Sequence, residues 1–365
     1  MKNLFRPLYS LYSYTAGQMV KHFNQVLPIS PLRLTIYITK KCNLSCDFCY
    51  VKHNLNTPEP NSLNFDEWKK VIDKIPRTTV IDFCGGEIFL AKDMMRILDY
   101  MTQKKRLVSI ITNGTTVNEK MADFFIDKKI TYYMTSIDGM WETHDRIRGK
   151  QGVFKQSDKM FKYLHEEKKK RKKKFPLTCL KTVITPENAH EILDLLKYSE
   201  HEAKVDHVQL SLIHEHKFKA GYDTFDNIST LDELKGNTFS YEENDKEKIK
   251  KALRDIFEYR KTSKIFIGLS PTFGSEQEIL DYVDDHLAFG VKKCDKQWSE
   301  FFLHYDGQIA PCISNNWGNI RDFNYDISQV LRSERARSFN KALEARMPFF
   351  PECEGCCRTI HTKKG

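Results

Sequence analysis

At 365 residues the chain is long enough for one barrel-sized domain and a smaller companion. Its 29% charged and 40% hydrophobic residues, with a mean hydropathy of -0.54 and no long apolar run, exclude a membrane-spanning helix. The net charge of +9 is concentrated, because residues 166–174 hold seven basic and two acidic residues; this run, 168–174 above all, reads as a solvated helix end, with a strip for an anionic substrate or an acidic membrane surface as the alternative, and without interleaved aromatics it argues against nucleic acid.

Residues 1–30 carry Phe5, Tyr9, Tyr12, Tyr14 and Phe23 among polar residues and read as an N-terminal arm packed under the fold, with an interfacial amphipathic helix as the alternative. Ten cysteines and no export signal point to a reducing cytoplasm and to metal ligation rather than disulfides. From residue 32 strand and helix alternate. Strands are expected at 32–39, 79–83, 107–112, 132–137, 178–184 and 205–213. Helices are expected at 64–75 (Asn64 capping, Glu67 closing a capping box), 94–101, 118–127, 154–167 and 187–201. Six strands with intervening helices imply a parallel α/β sheet, an incomplete (β/α)6 TIM-like barrel with function at the strands' C-terminal ends. This core spans 31–215. Residues 216–290 break the rhythm and read as a linker and insertion, in which His214 and His216 at the boundary are satisfied polar residues rather than ligands. Residues 291–365 form a small C-terminal module.

Cys42, Cys46 and Cys49 follow the first strand with C-x3-C-x2-C spacing. Thiolates are the ligands iron–sulfur clusters require, and three on one loop leave a fourth iron open for chemistry. A zinc knuckle would need paired C-x2-4-C ligands, and the next cysteine, Cys84, stands alone at a strand end, where it reads as a buried small residue. In the C-terminal module a hairpin about Asp306-Gly307 lies between Cys294 and Cys312, with Cys353, Cys356 and Cys357 further on. Four thiolates from Cys294, Cys312, Cys353 and Cys356 can close a second cluster; a zinc ribbon is the alternative.

The C-x3-C-x2-C loop, with Phe48 before and Tyr50 after its last cysteine, resembles the radical S-adenosylmethionine (SAM) superfamily, and the likeness runs over most of residues 32–357. It implies that Cys42, Cys46 and Cys49 hold a [4Fe–4S] cluster that binds SAM. Gly85-Gly86-Glu87 is similar to the family's methionine-binding motif, although Ile88 stands where proline is usual; Glu87 is then expected to accept from the methionyl ammonium. Ser136-Ile137-Asp138-Gly139 with His144-Asp145 and Arg148-Gly149 resembles a stretch of SPASM-type members. By that resemblance Ser136 and Asp138 bond the ribose hydroxyls and Arg148 steadies the SAM carboxylate; a strand-end turn with a structural Asp–Arg pair is the alternative. The C-terminal cysteines resemble a SPASM or shorter Twitch domain with a single auxiliary [4Fe–4S] cluster, Cys357 being the alternative to Cys356 as ligand.

The resemblance implies an enzyme that cleaves SAM reductively, with a flavodoxin- or ferredoxin-type electron donor, and abstracts hydrogen from a substrate. Because only about 30 residues precede the barrel, where peptide-modifying members carry a leader-binding domain, a small polar metabolite is expected over a peptide, with dehydrogenation as its reaction. A peptide maturase, or a non-catalytic iron–sulfur or zinc scaffold for nucleic acid, is the alternative.

Overall fold

A computed structural model describes residues 31–49, 51–213, 241–285, 288–290, 294, 300–312, 316–345 and 360–363. The expectations for residues 1–30, for His214 and His216, and for Cys353, Cys356 and Cys357 fall outside these.

Six parallel strands stand in chain order: β1 (Arg33–Tyr37), β2 (Val80–Cys84), β3 (Leu107–Thr112), β4 (Tyr132–Ser136), β5 (Leu177–Ile184) and β6 (His207–Leu212). Between them lie α1 (Phe65–Lys74), α2 (Met94–Gln103), α3 (Glu119–Asp127), α4 (Trp141–Arg148), α5 (Val153–Lys170) and α6 (Ile192–His201). Alternate strand residues, among them Leu34, Ile36, Ile81, Phe83, Ile110, Tyr133, Leu180 and Leu210, are fully buried on one face of the sheet. Period-two alternation that buries one face fixes the register strongly. Asn64 caps α1 as expected. Its Oδ1 accepts from the Asp66 and Glu67 amides at 3.0 Å each, and its own amide donates to Glu67 at 2.9 Å.

The sheet is wider than six strands. After α7 (Glu243–Thr262), β7 (Phe266–Ser270) pairs parallel with β6, so part of segment 216–290 completes a further βαβ unit rather than merely linking. The short strands β8 (Thr272–Phe273) and β9 (Phe289–Gly290) flank α8 (Glu276–Asp284). At the opposite edge β10 (Glu300–His304) pairs parallel with β1. The antiparallel strands β11 (Gln308–Ala310) and β12 (Gly318–Asn319) follow it, and β13 (Ile360–Lys363) joins β8 and β9 in a separate small sheet. The Asp306-Gly307 hairpin forms where expected, with Gly307 at φ 91°. Arg321, just beyond β12, donates from Nε to Glu67 at 2.6 Å and so ties the C-terminal module to the cap of α1.

The basic run differs from a uniformly solvated helix end. Helix α5 continues to Lys170, and Lys168 is buried, donating to the Pro176 carbonyl at 2.7 Å and to Asp206 at 3.0 Å. Arg171 pairs with Glu167, Asp123 and Asp127. Lys168→Met is expected to lower stability by about 1–2 kcal/mol, less than the loss on breaking a fully buried pair because the Asp206 side chain is 35% exposed. Neutralising Lys169, Lys170, Lys172 and Lys173 should leave the melting temperature unchanged. Thermal melts of the two variants check both statements.

Candidate functional site

The cysteine loop begins where β1 ends. Past that end the backbone keeps pairing with the turn after β2: the Ile38 amide donates to Cys84, the Gly86 amide to Thr39 and the Glu87 amide to Lys41, at 2.7–3.0 Å. Gly85 sits at φ 147°, and a Cβ on Gly86 would overlap the Lys41 carbonyl. The two glycines therefore let the β2 turn lie directly against the stem of the cysteine loop.

Two further contacts hold the loop. Asn56 exchanges hydrogen bonds with the Cys42 backbone, donor and acceptor both at 3.0 Å. The Ser45 and Asp47 amides donate to the Arg148 and Ile147 carbonyls at the C-terminal end of α4. Helix α4 is absent from the sequence expectation for a physical reason: of its five buried residues Thr143, His144, Asp145 and Arg148 are polar and only Ile147 is apolar, so it has no apolar stripe to read.

The three thiols lie together. Cys46 is buried, Cys42 and Cys49 are half-buried, and all three pack around Leu44 and Val153. Burial, with the neighbouring thiols adding to it, pushes Cys42 and Cys49 above the ordinary thiol range. Three thiolates here would repel one another unless a cation lay between them. Hydrogen-bond donors already point at the sulfurs: Arg148 Nη1 lies 3.4 Å from Cys46 Sγ, and Asn113 Nδ2 lies 4.0 Å from Cys42 Sγ. Among the described residues no three Cys, His, Asp or Glu side chains converge as ligands of one metal ion. Soft donors spread around a loop, with N–H groups on their sulfurs, suit the separate corners of an iron–sulfur cluster better than a single zinc.

Asp138 and Arg148 form an ion pair, both almost wholly buried. Asp138 Oδ1 also accepts from the Val183 amide at 2.8 Å, while its amide donates to His144 Nδ1 at 2.9 Å. Burial pushes the Asp138 carboxyl up and the Arg148 charge opposes it. The pair reaches the cluster loop through Cys46, and Asp138 is 0% exposed. Ser136 is partly exposed at the C-terminal end of β4.

Glu87 is fully buried, and its carboxylate accepts from Thr112 Oγ1 and the Asn113 amide at 2.7 Å and from Thr116 Oγ1 and the Phe89 amide at 3.3 Å. Desolvation raises its pKa despite these donors. Asn113 in turn donates to Asn43 at 2.9 Å, and Asn43 to Thr115 at 2.8 Å. The loop after β3 thus joins Glu87 to the cysteine loop. Asn113 was not among the residues singled out in the sequence; the Thr112-Asn113-Gly114-Thr115 cluster at a strand end was the signal available.

Cys84 follows expectation as a strand-end residue, its thiol pushed up mainly by burial and then by Asp82. Cys294 and Cys312 are partly buried against the main core, on either side of β10 and β11.

A parallel α/β sheet with three thiols on its first loop, clasped by the turns after β2 and β3, defines an iron–sulfur enzyme working at the C-terminal ends of its strands. The sequence pattern of the Radical SAM superfamily matches residues 36–199, and that of SPASM, an iron–sulfur cluster-binding domain, matches 294–357. The chain belongs to the radical SAM superfamily and carries a C-terminal SPASM domain. With that membership come SAM, a SAM-binding [4Fe–4S] cluster and an auxiliary cluster.

The sporulation killing factor maturation protein SkfB of Bacillus subtilis is 24% identical over 284 residues, 77% of this chain and 60% of SkfB. The chain thus matches less than two thirds of that relative's length. The AdoMet-dependent heme synthase of Nitratidesulfovibrio vulgaris is 23% identical over 349 residues, 90% of this chain and 88% of the synthase. Streptococcus suis SuiB bound to the precursor peptide SuiA shares the fold, with a TM-score of 0.62 at 16% identity over 92% of this chain and 72% of SuiB. No described helix is long and apolar enough to cross a membrane.

Proposed function

We propose that this radical SAM enzyme is a peptide maturase, abstracting hydrogen from a precursor peptide. The match to SkfB, a maturation protein, over 77% of the chain carries the reading, in place of the small polar metabolite expected from the short N-terminal arm. In this reading Cys42, Cys46 and Cys49 hold the SAM-binding cluster. Once bound, that cluster supplies the electron that cleaves SAM and so the radical that abstracts hydrogen. Arg148 and Asn113 steady the thiolates by donating to their sulfurs, and Asp138 holds Arg148 in place. Gly85 and Gly86 set the distance between the β2 turn and the cysteine loop. Ser136, at the end of β4, faces the bound SAM. A flavodoxin- or ferredoxin-type protein provides the electron.

Glu87 acts through the β3 loop rather than by a direct bond to the ammonium, because protein donors already occupy its carboxylate. Glu87→Gln turns an amide NH2 toward one of those donors and should cost about 1–3 kcal/mol of stability. A thermal melt checks this. Unchanged melting with weakened SAM binding would return Glu87 to the ammonium.

Cys294, Cys312, Cys353 and Cys356 hold the auxiliary cluster in this reading. The reconstituted chain should then carry about eight irons, and Cys356→Ala should lose about half of them. Iron analysis decides between this and a zinc ribbon, which would leave about four irons and one zinc.

A second reading has specific support, since the heme synthase aligns along 90% of this chain. The test of the proposed function is anaerobic incubation of the reconstituted holoenzyme with SAM and dithionite, adding either the short peptides encoded beside its gene or an iron porphyrin. Faster 5′-deoxyadenosine formation with a peptide, together with a mass change in that peptide, supports maturation. Conversion of the porphyrin alone would establish the second reading.

A further inference from the structure

The edge of the sheet opposite the cysteine loop carries its own charge pattern. Four consecutive helix-to-strand turns, those before β3, β4, β5 and β6, each place a lysine in the left-handed region: Lys105 at φ 56°, Lys129 at 55°, Lys172 at 52° and Lys204 at 50°. Glycine or asparagine is the usual residue at such positions. A cation near a helix C-terminus is favoured by the helix dipole, yet that preference does not select lysine for the left-handed residue itself in every turn.

All four lysines are exposed, as are Lys169 and Lys173, and among the described residues none of these six is ion-paired. The acids of this edge are largely engaged: Asp73 with Lys104, Asp99 with Lys128, Asp123 with Arg171 and Asp206 with Lys168. Glu202, beside Lys204, remains exposed.

Two large apolar side chains stand at the same edge. Leu107, first residue of β3, is 42% exposed, and Phe266, first residue of β7, is 38% exposed. The chain also enters the fold here, because the Pro31 carbonyl accepts from Thr79 Oγ1 just before β1 and β2. The thirty preceding residues contain Lys2, Arg6 and Lys21 and no Asp or Glu, with five Phe and Tyr.

Unpaired cations around protruding apolar side chains match a surface that is anionic outside and apolar beneath. We propose that this lysine-ringed edge docks the enzyme on an anionic lipid surface. Strands of five to eight residues, at ~3.3 Å each, then hold the cysteine loop roughly 20 Å from the lipid, facing water and its protein partners. The proposal is independent of the substrate.

Vesicle flotation of the holoenzyme tests it, with phosphatidylcholine vesicles compared with vesicles containing phosphatidylglycerol. The wild type should float only with the anionic vesicles and release as salt rises. Replacing Lys105, Lys129, Lys172 and Lys204 by Asn, which accepts positive φ, should lower partitioning roughly 600-fold, at about fivefold per lysine. A control with Lys248→Gln and Lys251→Gln on α7 should float like the wild type, and unchanged SAM cleavage in each variant reports a folded site. Failure of the wild type to float, or equal flotation of the four-lysine variant, overturns the proposal. Binding of duplex RNA through the same lysines without flotation overturns it in favour of a nucleic-acid surface.

Discussion

Replacing Cys42, Cys46 and Cys49 together by Ala should reduce 5′-deoxyadenosine formation to the level of a sample without enzyme. Nothing else among the described residues offers a comparable set of thiols at the strands' C-terminal ends; Cys84 stands alone at the end of β2, its thiol pushed up by burial. The auxiliary site uses other cysteines, so the triple variant should keep about half of the iron. That remainder separates loss of one cluster from loss of the fold. Cys46→Ala alone should be as damaging as the triple change, because it also deprives buried Arg148 of its sulfur contact. Assays under dithionite, which bypasses the protein electron donor, give the comparison directly.

Asp138→Ala should be the most destabilising single change near the site. It leaves Arg148, only 9% exposed, without its counter-charge and removes the acceptor of the Val183 amide. Breaking a buried pair by removing one partner costs about 3–5 kcal/mol, a drop in melting temperature of roughly 4–7 °C for a chain of this length. Asp138→Asn retains the shape and the Val183 acceptor and should fall between the two. Scanning calorimetry of the reconstituted protein measures the difference. Intact melting with weakened SAM binding would instead assign Asp138 to the ribose.

The six strands were legible because a sheet covered by helices writes its buried face as alternating apolar residues, from Leu34 and Ile36 to Val208 and Leu210. The cysteine loop was legible because thiols at that spacing have few other uses. Strand β7 lay inside the segment read as a linker and insertion, since nothing local says that residues 266–270 pair with residues 207–211 across a long intervening segment. Strand β10 hid a different partner: the hairpin is a local signal, whereas its parallel pairing with β1, more than 250 residues earlier, is not. Helix α4 escaped because polar residues bury it. The surroundings of Glu87 and Asp138 were not legible for one reason. A motif names the acid, but whether its oxygens face a ligand or the protein is decided by Thr112, Asn113 and Arg148, none of which adjoins it in sequence.

Electron paramagnetic resonance of the dithionite-reduced protein, recorded with and without SAM, tests most directly the claim that the cysteine loop holds a cluster open to SAM. One cluster signal should change on adding SAM and be missing from the triple cysteine variant, while the auxiliary signal stays the same in all samples. A spectrum indifferent to SAM, or a SAM-sensitive signal that survives the triple substitution, would contradict it.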